Sequence, residues 1–162
     1  SARSSPSGSE PAVRVVLQRA SSARVEVDGV VVGDLGGPGL VALVGVTHGD
    51  GPTQVEWMAR KIAHLRIFDG PGGDESPGAE RSAVEAELPV LVVSQCTLYG
   101  DVRKGRRPSW SAAAPGPVAE PLVEAVAEAL RAEGLRVATG TFGAHMRVHL
   151  VNDGPVTLVM DV

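Results

Sequence analysis

The chain has 162 residues, of which 43% are apolar and 21% charged, a composition typical of one compact globular domain. Its only cysteine, Cys96, excludes a framework of intrachain disulfides, and no apolar run reaches the roughly 18 to 20 residues of a membrane span. Fifteen Lys and Arg residues against 19 Asp and Glu residues give a net charge of −4, which excludes a protein that coats nucleic acid through its overall charge. Any contact with nucleic acid must therefore be local.

The first twelve residues differ in composition from the rest of the chain. Residues 1–12 are rich in Ser and Pro and contain no large aliphatic side chain, so we expect a disordered tail or an expression remnant there. Residues 13–162 contain no linker-like break and no internal repeat. We expect them to form a single domain.

The first half of this domain is rich in strand signals. Runs of β-favouring residues predict strands over Val13–Arg19, Ala23–Val27 and Val30–Asp34, and Asp28-Gly29 is a strong hairpin signal between the last two. Leu40–Val46 is almost continuously apolar, which predicts a strand that is covered on both faces.

Two main helices are predicted. Thr53–Glu56 has the pattern of a capping box and precedes apolar residues at helical spacing, namely Val55, Met58, Ala59 and Ile62. The second helix begins near Pro117 or Pro121, ends at Gly134, and carries its apolar face on Leu122, Val123, Val126 and Leu130. Between the helices we expect an exposed loop over Asp69–Gly78 and a buried strand over Pro89–Gln95.

The chain is predicted to close with two strands. Apolar and polar residues alternate over His145–Val151, a turn is expected at Asn152–Gly154, and Pro155–Val162 supplies the last strand. A sheet with two helices indicates an α+β or mixed α/β protein.

The histidines do not predict a metal site. His145 and His149 have a spacing that chelates a metal on a helix, but on a strand they lie about 13 Å apart and cannot share one ion. His48 and His64 are expected to be structural or solvated. No metal and no cofactor is predicted.

Nucleophilic catalysis by a side chain has little support in the sequence. Cys96 ends a predicted buried strand, and no His or Lys lies near it along the chain to activate the thiol. It reads either as a small buried hydrophobe or as a catalytic thiol. Ser94 and Thr97 flank it, but no nucleophile elbow or Ser-His-Asp pattern accompanies them.

A cluster of four cations follows that strand. Arg103, Lys104, Arg106 and Arg107 lie within five residues of an otherwise acidic chain, so they form either an anion site or an ordinary solvated loop. Trp110, just beyond, either stacks on a base or anchors the loop.

Two segments resemble the paired signatures of the D-aminoacyl-tRNA deacylase family. Ser94–Leu98 resembles Ser-Gln-Phe-Thr-Leu, and Asn152–Thr157 resembles Asn-x-Gly-Pro-x-Thr. The likeness extends to Arg14–Arg19, Leu65–Phe68 and Arg103–Ser109. Cys96 stands where the family usually has Phe, and residues 78–81 replace the family's Lys-Met-Asn before Ser82.

This resemblance implies a homodimer with a mixed α/β, barrel-like fold. It implies a cytoplasmic enzyme that proofreads translation by hydrolysing the ester of D-amino acids, and also of glycine, wrongly attached to the 3′ end of tRNA. Membrane association is not expected.

The resemblance also assigns roles to residues. The catalytic segment is Ser94, Gln95, Cys96 and Thr97. A cis Gly154-Pro155 peptide from the partner subunit, with Asn152, Thr157 and Arg19, forms the chiral filter, and Arg19 holds it in place. The tRNA-binding residues are Arg103, Lys104, Arg106 and Arg107.

The implied mechanism is consistent with the hydrogen-bonding capacity and the shape of the backbone. Backbone carbonyls of a Gly-Pro segment can accept hydrogen bonds from the substrate's α-amino group, while the backbone fills the space of an L side chain. Backbone N–H groups of Cys96 and Thr97 are suitable donors to the ester oxyanion. The resemblance further implies that the 2′-OH of the terminal adenosine assists the attack of water. Two alternatives stay open: a hydrolase that depends on Cys96, and a non-catalytic module that binds RNA or DNA.

Overall fold

The computed structural model describes residues 13–162, so the predicted tail at residues 1–12 lies outside the described residues. The described chain forms one sheet and three α-helices. In chain order these are β1 Arg14–Val27, β2 Val30–Asp34, β3 Gly39–Gly45, α1 Pro52–His64, α2 Ala83–Ala86, β4 Val90–Ser94, α3 Gly116–Ala132, β5 Val137–Thr139 and β6 Arg147–Asp161.

Strand β1 organises the sheet. On one side it pairs antiparallel with β3 over its first half and with β2 over its second half, and on its other side it pairs antiparallel with β6. Strands β3, β4 and β5 are parallel. The sheet curls until β2 approaches β5, so that a Cβ added to Gly33 would lie 2.2 Å from the Thr139 carbonyl oxygen. The predicted mixed α/β fold with a barrel-like sheet is confirmed.

The core has two layers, one on each face of β3. Leu40, Ala42 and Val44 pack with α1 and α3, whereas Val41 lies in a second cluster with Leu91 on the other face of the sheet. A strand in this position is apolar at successive residues because both of its faces are buried. The prediction for Leu40–Val46 is therefore confirmed.

Helix α1 is confirmed, with a different start. Its N-cap is Gly51, whose N–H bonds to the Gln54 side chain at 3.0 Å, and Pro52 occupies the first turn. The capping box is therefore displaced by two residues from the one predicted at Thr53. Proline fits the first turn because the N–H it lacks would have no partner inside the helix.

Helix α3 begins near Pro117, as predicted, and contains Pro121 within its length. It ends at Ala132, and Gly134 follows with φ 95°, a left-handed conformation that glycine adopts freely. The short helix α2, capped by Ser82, and the three-residue strand β5 were not predicted. The predicted exposed loop is confirmed, since residues 71–78 are all exposed.

Two predictions about strand ends are wrong. Val13–Arg19 and Ala23–Val27 belong to one continuous strand, β1, and the predicted pair of closing strands is the single strand β6. No chain reversal occurs at Asn152–Gly154. Instead, the register of β6 on β1 shifts between Gln18 and Ala20, which leaves residues 153–156 without partners in the ladder. The hairpin at Asp28-Gly29 is confirmed, with φ 50° and 77°.

Candidate functional site

The first signature forms an exposed turn at the carboxyl end of β4. Ser94 is the last residue of the strand, and the Gln95 N–H donates to the Val44 carbonyl at 2.8 Å. Cys96–Tyr99 then make one turn of 3-10 helix, closed by a bond from the Leu98 N–H to the Gln95 carbonyl at 3.2 Å. The carboxyl end of parallel strands is where open α/β sheets commonly bind ligands.

This turn offers two backbone donors. The first N–H groups of a helical turn have no acceptor inside it. Within residues 13–162, the N–H groups of Cys96 and Thr97 donate to no protein acceptor. Both residues are exposed, so these donors are available to a ligand.

Two polar side chains of the turn, Gln95 and Thr97, contact each other. The Gln95 amide donates to the Thr97 hydroxyl oxygen at 2.7 Å, which leaves the hydroxyl proton of Thr97 free to donate elsewhere. Cys96 is exposed, contrary to the expectation that it ends a buried strand as a small hydrophobe. The strand ends two residues earlier, at Ser94, so the thiol lies beyond the core.

Arg14 and Tyr99 anchor the turn, and sequence reasoning missed this role. The Arg14 guanidinium donates to the Leu98 carbonyl at 3.0 Å, pairs with Asp161 at 2.7 Å and lies 4.8 Å from the centre of the Tyr99 ring. Burial, followed by the charge of Asp50, raises the pKa of Tyr99 far above its usual range, so the phenol stays protonated. Arg14 opens the first strand, where the pairing of β1 with β6 places Asp161 beside it and the pairing with β3 places it near the turn.

A cavity of about 510 Å³ adjoins the turn. Its lining includes Ser94, Gln95, Cys96, Trp110, Phe142 and His145. We call it the Cys96 cavity. Its Trp110 wall is fixed by the loop that follows: the Ala114 N–H donates to the Val46 carbonyl at 2.9 Å, and the His48 ring contacts the Ser111 carbonyl at 2.9 Å. His48 is thus structural, as expected.

The second signature, Asn152–Thr157, contains the unpaired part of β6, residues 153–156, which we call the Gly154 segment. The Gly154-Pro155 peptide bond is cis. The Asn152 amide donates to the Arg19 carbonyl at 2.9 Å and to the Val156 carbonyl at 3.1 Å, so it spans the segment in place of the missing ladder bonds. A Cβ added to Gly154 would lie 2.1 Å from the Val156 nitrogen, so only glycine fits this backbone.

Arg19 holds this segment from β1. Its Nε donates to the Asp153 carbonyl at 2.9 Å, and its Nη1 donates to the Ile67 carbonyl at 2.7 Å. Gln18 adds a bond from its amide to the Thr157 hydroxyl at 3.2 Å. Arg19 therefore ties the Gly154 segment to the chain that leaves α1.

The two signatures do not meet within one chain. Ser94 pairs with Val44, Val44 with Val15, and Val15 with Met160, which lies six residues beyond Gly154 on β6. Residues 153–156 bulge out opposite Arg19, because Thr157 pairs with Gln18 and Asn152 with Ala20. Arg19 lies four residues from Val15 on β1, so at about 3.3 Å per residue the signatures are roughly 13 Å apart along the strands, and three strand spacings of about 4.8 Å also separate β4 from β6.

The cationic loop is closed by two backbone bonds of 2.8 Å between Asp101 and Ser109. Arg103 binds the Asp101 carboxylate at 2.9 and 2.7 Å, and this hydrogen bonding holds the pKa of Asp101 at about 2. Lys104, Arg106 and Arg107 are exposed and form no ion pair with any residue from 13 to 162. The loop thus presents three unpaired cations.

Trp110 is half exposed and anchors the base of the loop. Its ring packs so closely on Gly100 that an added Cβ would lie 2.5 Å from a ring carbon.

Residues 13–162 contain neither a metal-ligand cluster nor a membrane-spanning helix. No three His, Cys, Asp or Glu side chains in this range are grouped as metal ligands. None of the described helices combines the length and apolar character needed to cross a membrane.

Comparison with known proteins agrees with the resemblance seen in the sequence. A family model described as D-Tyr-tRNA(Tyr) deacylase matches residues 16–161. A protein named D-aminoacyl-tRNA deacylase from Kineococcus radiotolerans is 60% identical over 149 residues, which cover 92% of this chain and 99% of that protein. A protein of the same name from Beutenbergia cavernae is also 60% identical, with the same coverage.

Solved structures match over the same length. A protein named c-Myc DNA unwinding element binding protein is 35% identical, with a TM-score of 0.82 over 92% of this chain and 98% of that chain. A probable eukaryotic D-amino acid tRNA deacylase is 21% identical, with a TM-score of 0.79 over 93% of this chain and 99% of that chain, and this likeness concerns the fold alone.

Because Arg14 anchors the turn, substituting Arg14 should lower the free energy of unfolding more than substituting its ion-pair partner Asp161. Arg14→Met loses the bond to the Leu98 carbonyl and the contact with Tyr99, so we expect it to lower the free energy of unfolding by about 1 to 2 kcal/mol. Asp161→Asn removes only a half-exposed ion pair and should cost less than about 1 kcal/mol. Urea denaturation measures both, and equal effects of the two substitutions would contradict the anchoring role.

Proposed function

The chain belongs to the D-aminoacyl-tRNA deacylase family, and we propose that two copies of it build each active site together, with the turn of one subunit facing the Gly154 segment of the other. It is a hydrolase that cleaves the ester bond between a D-amino acid and tRNA, a proofreading reaction of translation. The observation that carries the proposed site is the pair of free N–H groups at Cys96 and Thr97 beside the Cys96 cavity.

The proposed chemistry is carried by the backbone. Water attacks the ester carbonyl, assisted by the 2′-OH of the terminal adenosine, and the carbonyl oxygen becomes an oxyanion. The N–H groups of Cys96 and Thr97 stabilise it, a contribution of about 3 to 4 kcal/mol per donor. The tetrahedral intermediate then expels the 3′ oxygen, which takes up the proton that the attacking water lost, and leaves free tRNA and a D-amino acid. Thr97, held by Gln95, orients the ester.

The chiral filter in this proposal is the Gly154 segment. Residues 153–156 have no ladder partner, so carbonyls of Gly154 and Pro155 are available to the α-amino group of the substrate. The rigid backbone occupies the space of an L side chain, whereas a D side chain points away from it. Glycine has no side chain to exclude, so glycine mischarged on tRNA for alanine is also a substrate.

Sharing of the site between subunits follows from the distance between the signatures. A separation of roughly 13 Å along the strands, together with three strand spacings of about 4.8 Å across the sheet, is too large for one aminoacyl ester to touch both within one chain. A second copy supplies the missing half. The exposed face of β6 carries Val151 and Val159, 56% and 67% exposed, which a homodimer would cover.

The cationic loop is the proposed contact for tRNA phosphates. Lys104, Arg106 and Arg107 are unpaired, so their charges are available to the backbone of the acceptor end. Charged tRNA is consumed by ribosomes, and we place the reaction in the cytoplasm.

A second candidate function is non-catalytic binding of nucleic acid. The structural neighbour with 35% identity is named as a DNA unwinding element binding protein, which favours this function, and the cationic loop would serve it equally. This alternative requires binding without turnover.

The decisive experiment compares the release of D- and L-tyrosine from charged tRNA. We expect D-tyrosine to be released more than about a hundredfold faster, a barrier difference of roughly 2.7 kcal/mol. Binding of tRNA with no release of either enantiomer would instead establish the non-catalytic alternative.

Two substitutions of Cys96 separate the backbone from the thiol. Cys96→Pro removes the N–H while suiting the second position of the turn, and Gln95 before it, at φ −147° and ψ 79°, lies outside the helical region that proline disfavours. We expect kcat to fall by about 10² to 10³ in Cys96→Pro.

The matched control is Cys96→Ala, which keeps the N–H and should keep kcat within about tenfold of the unsubstituted enzyme. Alkylation of the thiol should likewise leave turnover measurable. A thousandfold loss in Cys96→Ala, roughly 4 kcal/mol of barrier, would establish the thiol-dependent alternative.

Sharing of the site predicts complementation between inactive subunits. Gly154→Ala places a Cβ against the Val156 nitrogen and should abolish D-aminoacyl-tRNA hydrolysis. When Gly154→Ala and Cys96→Pro chains carrying different tags are co-expressed, each mixed dimer contains one intact site, so activity should recover to about a quarter of the unsubstituted level. Purified mixed dimers without activity would show that both signatures act within one subunit.

If the cationic loop binds tRNA phosphates, KM and the salt dependence of kcat/KM should change when its charges are replaced. Replacing Arg106 and Arg107 together with Glu should raise KM, and each lost phosphate contact should flatten the dependence of log kcat/KM on log salt by about 0.7 to 0.9. Arg103→Gln, which removes a cation already paired with Asp101, is the control and should have the smaller effect. An unchanged KM in the double variant at physiological salt would mean that the loop is only solvated.

A further inference from the structure

The outer face of α1 carries an aromatic and cationic cluster that the site does not use. Relative to Trp57, the residues Arg60, Lys61 and His64 lie three, four and seven positions further along, so all four share a face of the helix. The opposite face, with Met58 and Ile62, is fully buried. Trp57 is 36% exposed.

These side chains surround a depression of about 340 Å³. The Lys61 ammonium lies 5.2 Å from the centre of the Trp57 ring, at the range of a cation–π contact. Arg60 and Lys61 form no ion pair with the rest of residues 13–162, whereas His64 is paired with Glu133 at 2.6 Å. The depression thus combines an aromatic wall with two available positive charges.

The cluster is connected to the Gly154 segment. The chain leaves α1 through Leu65 and reaches Ile67, whose carbonyl is bound by Arg19 at 2.7 Å, and Arg19 also binds the Asp153 carbonyl at 2.9 Å. From Lys61 to Ile67 the path is about 15 Å, three helical and three extended residues. A polymer whose end lies at the Gly154 segment therefore has the α1 cluster within a few monomers.

We propose that the α1 cluster binds the ribose-phosphate backbone of tRNA beyond its 3′ end, with Arg60 and Lys61 on phosphates and Trp57 against a ribose or base. This rests on the proposed function, because it takes the aminoacylated end to lie at the Gly154 segment. The choice of RNA follows from charge: the chain carries a net charge of −4, yet this face offers unpaired cations beside an aromatic ring, a combination that binds polyanions with π-faces. An acidic protein would need the cations but not the exposed ring.

The test uses two substrates for each variant of the full-length protein. One is D-tyrosyl-tRNA, and the other is D-tyrosyl-adenosine, which has the reactive ester but no acceptor stem. Arg60→Gln with Lys61→Gln removes both charges from the cluster. Arg131→Gln with Arg136→Gln, on exposed positions at the end of α3 and just before β5, is the control with the same change in net charge. Arg60→Lys with Lys61→Arg keeps both charges in place.

We expect the Gln pair on α1 to raise KM for D-tyrosyl-tRNA about five- to tenfold, to flatten its salt dependence by about 1 to 2 in the log–log slope, and to leave hydrolysis of D-tyrosyl-adenosine unchanged. The control pair and the exchanged pair should keep KM within about twofold, and Trp57→Leu should raise KM for the tRNA alone.

An unchanged KM for tRNA in the Gln pair, with hydrolysis intact, would overturn the inference and leave the proposed function standing. An equal loss on both substrates would also overturn it, because the cluster would then affect the chemical step. If the unsubstituted protein hydrolyses neither substrate, the proposed function itself fails.

Discussion

The guanidinium of Arg19 is the interaction on which the geometry of the Gly154 segment depends. Strand β6 cannot keep its register on β1 through residues 153–156, and a strand that loses its ladder bonds normally frays. Arg19 replaces part of that ladder by binding the Asp153 carbonyl, and its own carbonyl accepts the Asn152 amide. Since the same guanidinium binds Ile67, the segment is fixed to the end of α1 as well as to β1.

The helices and strands could be predicted because the spacing of their apolar residues reflects which of their faces are buried. The apolar run at Leu40–Val46 and the helical spacing of α1 and α3 each reflect a buried face, and those faces lie in the core. The predicted turn between two closing strands was wrong for a physical reason. Asn152–Gly154 has the composition of a turn, yet here the Asn152 side chain bridges a bulge and the strand continues beyond it.

The candidate site could be predicted from the sequence less completely than the fold. Motif residues such as Thr97 and Gly154 could be named from the sequence, but their local contacts could not. The free N–H groups of the turn follow from backbone geometry, which any side chain permits, so no residue type signals them. The partners of Arg14 lie 84 and 147 residues away along the chain, and pairing of that range leaves no local pattern. Cys96 is exposed because β4 ends two residues before it, and strand ends are among the least predictable features of a sequence.

In the proposed enzyme, clusters of cations bind the tRNA and main-chain groups discriminate between the aminoacyl esters. An overall charge of −4 disfavours non-specific adsorption to RNA, so productive binding must use local clusters of unpaired cations. The loop at residues 101–109 and the outer face of α1 lie on separate elements, and two contacts fix the direction of a rod-like acceptor stem better than one. Orientation matters here because the discriminating groups are main-chain atoms, which cannot adjust to a misplaced ester as a flexible side chain could. A backbone filter is indifferent to the identity of the D side chain, so recognition of the tRNA has to come from these charged surfaces and not from the amino acid.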